Sequence, residues 1–388
     1  MQTPEVIAAL AALAQETRNQ CIFGTAASSH DEWHIICHGR PQFRNHSPLD
    51  ESTMTSSVND QSKTIRWGIL GTGRIASDFA EALHVTPGAE LVAVASRTLD
   101  KAQEFGDKYH VDACYGTYQE LADADGVDAI YIGTPHPMHV ENALMALHGG
   151  KAVLCEKPFT INRREAEQVV ELARSKGLFL MEAMWSRFMP SIVEVKRIIA
   201  SGEIGKVHQF SADFGFRATV NPAHRVHNMA LGGGALLDLG IYPLSLAADL
   251  LGPISSVYAQ AELGATGADA QTTFLMKHQN GGVSVGLCSV LADTPKELIV
   301  SGELGYIRMN APFHHSQSIS VVLSNGTKRS IDTPHIGNGY TYEAIEVMRC
   351  MHAGLIESPR MTHAETLALM GWLDTIRAQI GVSYPADE

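Results

Sequence analysis

The sequence is poor in positive charge and contains no closely spaced cysteine pair. Lysine and arginine together number 29 against 42 aspartates and glutamates, which gives a net charge of −13 at neutral pH. A chain this acidic would repel a phosphate backbone, so we do not expect a nucleic acid as its partner. The six cysteines form no Cys-x-x-Cys pair, which argues against a zinc site and a short-range disulfide framework. Reduced thiols in a cytoplasm are the simpler interpretation.

Long apolar runs and an export signal are also missing from the pattern. No run approaches the roughly eighteen apolar residues that suggest a membrane span, and the first residues carry neither a basic region nor a twin arginine. We therefore expect a cytoplasmic protein that is neither membrane-inserted nor exported. The 45% of apolar and 18% of charged residues are typical of a globular chain, and 388 residues suggest two domains with a remainder.

That remainder is assigned to residues 1–62, interpreted as a poorly defined amino-terminal extension. Its start has apolar residues at helical spacing, but the rest mixes polar residues without periodicity. His30, His34 and His38 lie four apart, yet no acidic or cysteine partner completes a metal site. Because a strongly patterned region begins only afterwards, we hypothesise that Met54 is the true start.

Two further regions have different patterns. In residues 63–185, short apolar runs alternate with amphipathic segments, which predicts a doubly wound parallel sheet, a Rossmann domain, because parallel crossovers need a helix to return the chain. In residues 186–388, successive strand-like runs are separated by Gly and Asn turns and followed by two helical segments. This predicts an α+β domain for substrate binding and oligomerisation, with a large, mostly antiparallel open sheet. The fold class is α/β.

A glycine-rich turn follows the first predicted strand and opens a predicted helix. Gly71 would make the tight turn, Gly73 would let the backbone approach a pyrophosphate, and Ala76 would allow close helix packing. N–H groups at the start of this helix, which includes Arg74 and Ile75, would hold the phosphates. The alternative is an ordinary glycine turn.

The second predicted strand ends at Ser96 and Arg97, where NAD-binding sites usually carry an acidic residue. A carboxylate would repel a 2′-phosphate, whereas a hydroxyl beside a guanidinium can hydrogen-bond to one. NADP is therefore the predicted cofactor, and NAD is less favoured. The alternative is that Arg97 only pairs with Asp100 on the following helix.

Polar residues also follow the fourth and fifth predicted strands, at the edge where open α/β sheets bind ligands. The candidates there are Thr134, Pro135, His139, Glu156 and Lys157. Further along, a run of three glycines precedes Asp238 and Tyr242, which would share one face if this segment is helical. That face would look into the cofactor cleft.

These motifs, in this order, resemble the Gfo/Idh/MocA oxidoreductase family over about residues 64–384. The resemblance rests on the glycine fingerprint, the Glu-Lys-Pro at 156–158 and the Gly-Gly-Gly-x-x-x-Asp-x-Gly-x-Tyr at 232–242. Within the family, the segment 181–190 and the tyrosine of the last motif are more similar to dimeric dihydrodiol dehydrogenases and NADP-dependent D-xylose dehydrogenases than to inositol dehydrogenases.

The resemblance implies that Lys157 and Tyr242 are the catalytic pair, supported by Asp238. Removing a hydride from a carbinol leaves a hydroxyl proton to be accepted, and a tyrosine with a pKa of about 10 is a poor base at neutral pH. We expect the Lys157 ammonium to favour the phenolate. His139 would contact the nicotinamide. The alternative for each of these residues is a structural role.

The residues Trp185, Arg187 and Phe188 are predicted to line the substrate pocket, with core packing as the equal alternative. We expect an NADP-dependent oxidoreductase acting on a sugar such as an aldopyranose, or on a related secondary carbinol. Alternatives are a trans-dihydrodiol substrate, a sugar–sugar oxidoreductase with tightly bound cofactor, and a non-catalytic cofactor-binding sensor. A homodimer or higher homo-oligomer is expected through the carboxy-terminal sheet, because one face of this sheet has no obvious covering helices.

Overall fold

Two sheets organise the part of the chain that this computed structural model describes, residues 64–219 and 221–388. All of these residues belong to a single unit. The predictions of an amino-terminal helix, of an uncompleted histidine stripe and of Met54 as the start concern residues outside the described ranges.

The first sheet is the predicted doubly wound one. Its strands are β1 (Ile65–Leu70), β2 (Ala89–Ala95), β3 (Ala113–Tyr115), β4 (Ala129–Ile132), β5 (Ala152–Glu156) and β6 (Leu180–Ala183). The connecting helices are α1 (Arg74–Val85), α2 (Leu99–Tyr109), α3 (Tyr118–Asp123), α4 (His139–His148) and α5 (Arg163–Lys176). The six parallel strands lie in the order β3-β2-β1-β4-β5-β6. The order reverses between β1 and β4, and a ligand crevice forms at the carboxyl ends of strands that flank such a reversal.

The second sheet is mixed and mostly antiparallel. Its strands are β7 (Val207–Gly215), β8 (Ile254–Leu263), β9 (Asp269–His278), β10 (Val283–Ser289), β11 (Leu298–Gly302), β12 (Gly305–Met309), β13 (Ser318–Leu323) and β14 (Lys328–Asp332). Their order is β14-β13-β12-β11-β7-β10-β9-β8, and only β7 and β10 pair in parallel. Helices α6 (Pro190–Ala200), α7 (Ile241–Leu251), α8 (Thr341–His352) and α9 (His363–Ile380) complete the described part.

Several short or weakly patterned elements were not predicted from the sequence. Strand β3 has three residues and helix α3 has six, too few for a periodic pattern. Helix α6 begins at Pro190, which suits the first helical position because it lacks an N–H that would be unpaired there anyway. Strand β14 lies at the sheet edge with Lys328 and Asp332 exposed, so it has no apolar alternation strong enough to mark it.

An aromatic cluster lies behind the crevice of the first sheet. The Phe79 ring on α1 stacks on Tyr131 of β4 with centroids 3.8 Å apart, and Trp67 of β1 meets Phe79 edge-on at 5.4 Å. All three side chains are fully buried. Burying a large apolar side chain stabilises a fold by roughly 1.5–3 kcal/mol, so this cluster fixes α1 against β1 and β4. It thereby fixes the glycine turn between β1 and α1.

The apolar segment Met229–Leu251 is a core element. By length and composition alone it could cross a membrane, with a mean hydropathy of 1.4, contrary to the expectation that no apolar run is long enough. Inside the fold, 89% of its most apolar window is buried. Its apolar character is therefore explained by the contact of α7 and the preceding turn with β7 and β10.

Candidate active site

The glycine turn has the geometry that a dinucleotide phosphate needs. Gly71 has a φ of +103°, and a Cβ there would lie 3.1 Å from the Gly133 carbonyl oxygen. A Cβ on Gly73 would have nothing within 4 Å, and α1 begins there without a side-chain cap. The first N–H groups of α1 therefore have no side-chain cap from this turn, which fits a pyrophosphate. Ala76 is fully buried, as close packing requires, and the Arg74 side chain is 96% exposed.

The position that would read the adenosine ribose combines a buried hydroxyl with an exposed guanidinium. The Ser96 Oγ lies 3.0 Å from the Thr72 Oγ1, so the glycine turn and the end of β2 are joined. Arg97 is exposed and forms no ion pair with Asp100 or with any other residue in the described ranges. Burial raises the pKa of the nearby Tyr118, and the Arg97 charge opposes that rise. The guanidinium is thus available to a phosphate group.

His139 has a structural place that differs from the predicted contact with nicotinamide. It is fully buried, with Nε2 2.8 Å from the Thr134 carbonyl oxygen and Nδ1 3.0 Å from the Pro158 carbonyl oxygen. Burial lowers its pKa, so the ring is neutral near pH 7 and holds one N–H for these two acceptors. The structure therefore corrects His139 to a residue that joins the ends of β4 and β5. Pro135, beside Thr134, is exposed and open to a ligand.

The structure brings Lys157, Asp238 and Tyr242 together at the end of β5. The Lys157 ammonium donates to the Asp238 carbonyl oxygen at 2.9 Å and to Oδ1 at 3.1 Å. It also lies 4.9 Å from the centre of the Tyr242 ring. Burial opposes a charged lysine, but Tyr242, Asp238 and Glu156 outweigh it and raise the Lys157 pKa above its usual range. The lysine is therefore cationic.

Asp238 bridges two cations, one of which was not predicted. Its Oδ2 accepts a hydrogen bond of 2.9 Å from the Arg225 guanidinium, whose side chain is 54% exposed. Burial would raise the Asp238 pKa, yet Lys157 and Arg225 hold it well below its usual range. No motif marks Arg225, because it comes from a loop and only the fold places it beside Asp238.

The pKa of Tyr242 is raised, whereas the sequence led us to expect a lowered one. Its Oη accepts a hydrogen bond of 2.9 Å from the Trp185 indole N–H. Burial raises the Tyr242 pKa, and the Lys157 charge lowers it less than burial raises it. Lys157 lowers the Tyr242 pKa, as predicted, but the net shift of that pKa is upward. The phenol therefore keeps its proton at neutral pH.

Both carboxylate oxygens of Glu156 accept hydrogen bonds from neighbouring residues, one of which is Lys157. Its Oε1 accepts a hydrogen bond of 2.6 Å from the Tyr131 hydroxyl, and its Oε2 accepts one of 3.1 Å from the Lys157 backbone N–H. The residue is buried, and burial raises its pKa. We therefore assign Glu156 to the support of the β5 end, where it was predicted to contact the cofactor.

A π-helical turn, Leu236–Gly240, contains Asp238 and leads directly into α7, which contains Tyr242. Together the two elements bring both side chains to Lys157. Gly234 precedes it with a φ of +134°, and a Cβ there would lie 2.2 Å from Asp269 Oδ1. Oδ2 of Asp269 accepts a hydrogen bond of 2.7 Å from the Leu236 N–H. Only glycine fits at position 234, because the carboxylate that caps this turn occupies the space of a side chain.

Of the three predicted substrate residues, only Trp185 contacts Tyr242. The Arg187 guanidinium is buried and donates to Ser245 Oγ at 2.8 Å and to Glu365 Oε1 at 2.9 Å. The Phe188 ring is buried beneath the Arg360 guanidinium, 4.8 Å from its centre. The structure therefore corrects Arg187 and Phe188 to packing residues.

The walls around Tyr242 are aromatic and come from distant parts of the chain. Phe214 of β7 lies 5.2 Å from the Tyr242 ring, and His314 stacks on Phe214 at 4.4 Å. Tyr340 packs on Trp185 with centroids 4.5 Å apart. Single aromatic residues scattered through a sequence give no local signal, so these contacts could not be predicted.

Comparisons with known proteins agree with this geometry. A family model described as oxidoreductase family, NAD-binding Rossmann fold, matches residues 65–184, and one described as GFO/IDH/MocA C-terminal domain matches residues 192–308. A trans-1,2-dihydrobenzene-1,2-diol dehydrogenase from Danio rerio is 37% identical over 335 residues, which cover 83% of this chain and 99% of the relative.

Solved structures share the fold. A 3-ketoreductase from Actinomadura kijaniata, in complex with NADP and TDP-benzene, is 27% identical with a TM-score of 0.74, covering 82% of this chain and 98% of that one. A levoglucosan dehydrogenase in complex with NADH and levoglucosan has a TM-score of 0.76 at 19% identity, with 82% and 97% coverage, and supports the fold alone.

A doubly wound sheet with an uncapped glycine turn beside a lysine and a tyrosine defines an NAD(P)-binding oxidoreductase. Both domain models and the Danio rerio relative place this chain in one group of these enzymes. The chain belongs to the Gfo/Idh/MocA family of oxidoreductases.

Proposed function

We propose that the protein is an NADP-dependent dehydrogenase that interconverts a ring carbinol and its carbonyl in a sugar or a related small diol. The observation that carries this proposal is the Lys157 ammonium, 3.1 Å from Asp238 Oδ1 and 4.9 Å from the Tyr242 ring. A phenol beside a fixed cation can give a proton to a developing alkoxide, and its phenolate can take one from a carbinol.

The residues present fit a dinucleotide along the carboxyl edge of the first sheet. Gly71, Gly73 and the first N–H groups of α1 would hold the pyrophosphate, and Ser96 with Arg97 would hold the phosphorylated ribose. When bound, the nicotinamide accepts or supplies the hydride. All other steps belong to side chains of this chain.

Tyr242 moves the proton. Its hydroxyl is protonated at neutral pH, so it donates to a carbonyl during reduction and must lose its proton before it can act in oxidation. The Lys157 ammonium and the Trp185 N–H both stabilise the phenolate that forms. Asp238 holds the ammonium in place, and this makes Asp238 a positioning residue.

The aromatic walls suit the apolar faces of a six-membered ring, which both sugars and cyclic dihydrodiols present. An aldopyranose such as D-xylose is the first candidate. A trans-dihydrodiol is the second, because the Danio rerio relative, named for that activity, is 37% identical to this chain. Both present a carbinol with a hydroxyl on the neighbouring carbon.

Initial rates with NADP⁺ and a panel of aldopyranoses, polyols and trans-1,2-dihydrobenzene-1,2-diol test the proposal. We expect one substrate class to give a kcat/KM well above the others. A panel without activity in either direction would contradict an enzyme and favour a cofactor-binding sensor.

Replacing Arg97 with alanine should remove most of a preference for NADP over NAD. A charge-assisted contact to a phosphate contributes on the order of 1.5–3 kcal/mol, which is about tenfold to a hundredfold in affinity. Dissociation constants for both cofactors measure this, and Arg197→Ala, an exposed arginine on α6, is the matched control. Equal affinity of the unmodified protein for both cofactors would refute the NADP assignment.

We further propose that the outer face of the second sheet binds a second copy of the chain. Tyr258 on β8 and Leu275 on β9 are direct neighbours, and Val285 of β10 lies beside Leu275. Tyr258 is 62% exposed and Leu275 is 50% exposed. A solvated sheet face normally carries polar residues, so an apolar row of this kind fits an isologous interface.

Leu275→Glu should therefore convert a dimer into a monomer, because the interface would bury an unpaired charge twice. Light scattering coupled to size-exclusion chromatography measures the mass. The control is Leu355→Glu, a leucine of similar exposure outside this sheet, which should leave the mass unchanged. A monomeric parent protein at micromolar concentration would contradict the proposal.

A further inference from the structure

One polar group beside the proposed proton donor has no role in the chemistry described so far. His314 lies in the short turn Phe313–His315 between β12 and β13, and the buried Phe313 anchors that turn. The His314 ring lies 5.7 Å from the Tyr242 ring and 5.9 Å from Trp185. It therefore forms part of the wall that faces the reacting centre.

The hydrogen bonding of His314 indicates which ring nitrogen carries the proton. Nδ1 is buried and has no hydrogen-bond partner among the described residues. Nε2 is not left buried and unpaired in this way. A buried N–H without an acceptor is rarer than a buried acceptor without a donor. The neutral ring should therefore carry its proton on Nε2, the nitrogen that is not sealed off from a partner.

The ring stays neutral over the working range of pH. Burial, together with the charges of His315, Lys157 and Lys296, lowers the pKa of His314 to about 3. A neutral imidazole held by stacking on Phe214 at 4.4 Å is a fixed hydrogen-bond donor without a net charge. Such a group suits a hydroxyl oxygen better than it suits a carboxylate or a phosphate.

We propose that His314 is a specificity-determining residue whose Nε2–H binds the hydroxyl on the carbon next to the reacting carbinol. This rests on the proposed function, because Tyr242 must hold the reacting oxygen for His314 to reach its neighbour. The substrate class is then a cyclic vicinal diol, which includes both an aldopyranose and a trans-dihydrodiol. A cyclic alcohol with one hydroxyl should be a poor substrate, because it leaves the donor unpaired.

Matched substrates and three variants test this proposal. The substrates are trans-cyclohexane-1,2-diol and cyclohexanol, which differ by one hydroxyl. In His314→Phe, kcat/KM for the diol should fall about tenfold to a hundredfold, while cyclohexanol should change by less than about threefold. His314→Gln places an amide N–H near the position of Nε2 and should restore part of the preference, whereas His314→Asn places one near Nδ1 and should not.

Binding is measured beside turnover, as quenching of NADPH fluorescence by each substrate, with the dissociation constant of NADPH as the control for folding. Full diol preference in His314→Phe would overturn the inference and leave the proposed function intact. If the parent turns over neither compound but is active on the aldopyranose and dihydrodiol panel, the inference stands only if His314→Phe weakens diol binding. Inactivity on that panel as well would contradict the proposed function and the inference that rests on it. Absence of diol binding to the parent protein would overturn the inference.

Discussion

Replacing Tyr242 with phenylalanine should lower kcat by about 10²–10⁴-fold, the usual effect of losing a general acid–base group. The substitution removes only the hydroxyl, so the ring keeps its contacts with Phe214 and Lys157. The Trp185 N–H loses its acceptor, which should cost about 1–3 kcal/mol of stability without unfolding the protein. Affinity for NADP should change little, because the phosphate turn and the end of β2 lie elsewhere along the sheet edge.

Steady-state kinetics, thermal unfolding and cofactor titration together test this expectation. Tyr342→Phe is a suitable control, because Tyr342 is also buried and its hydroxyl accepts one backbone hydrogen bond, from Ile336. Its kcat should remain within about threefold of the parent value. Near-normal turnover in Tyr242→Phe would place the proton carrier elsewhere, and Asp238 would be the next residue to substitute.

The sequence predicted the parts of the site that are encoded locally. Gly71 and Gly73 follow a strand, Lys157 follows a strand, and Asp238 and Tyr242 lie close together along the chain. Each is therefore placed by the element that contains it, and the parallel order of the strands brings their carboxyl ends to one edge. The mostly antiparallel second sheet was predicted for the same reason, because its turns and alternating strands are local signals.

Features that depend on partners from distant parts of the chain were not predictable. Arg187 looked like a pocket residue, but Ser245 and Glu365 bury its guanidinium. His139 was predicted to contact the cofactor, but its ring nitrogens lie against the carbonyl oxygens of Pro158 and Thr134. The net pKa direction of Tyr242 belongs to the same class, since it depends on how much burial opposes the Lys157 charge.

Replacing Lys157 with methionine should also lower kcat by about 10²–10⁴-fold near pH 7, but for a different reason. In the parent protein the ammonium opposes the effect of burial on the Tyr242 pKa. Without it the pKa rises further, and each additional unit leaves about tenfold less phenolate at a given pH below that pKa. For carbinol oxidation, the rising limb of the kcat profile should therefore move to higher pH, and the deficit should shrink as pH increases.

The profile of kcat against pH for Lys157→Met and Lys157→Arg is the decisive measurement. The arginine variant keeps a positive charge, so its limb should lie closer to the parent's even if its larger head group lowers the plateau. Asp238 retains Arg225 as a partner in both variants, so the fold should survive, which thermal unfolding can verify. A uniform loss in Lys157→Met with an unshifted limb would show that the lysine only orients groups.

Because Lys157 and Tyr242 act on one proton, the double variant should be scarcely slower than Tyr242→Phe, and additive losses would mean that the two residues act independently.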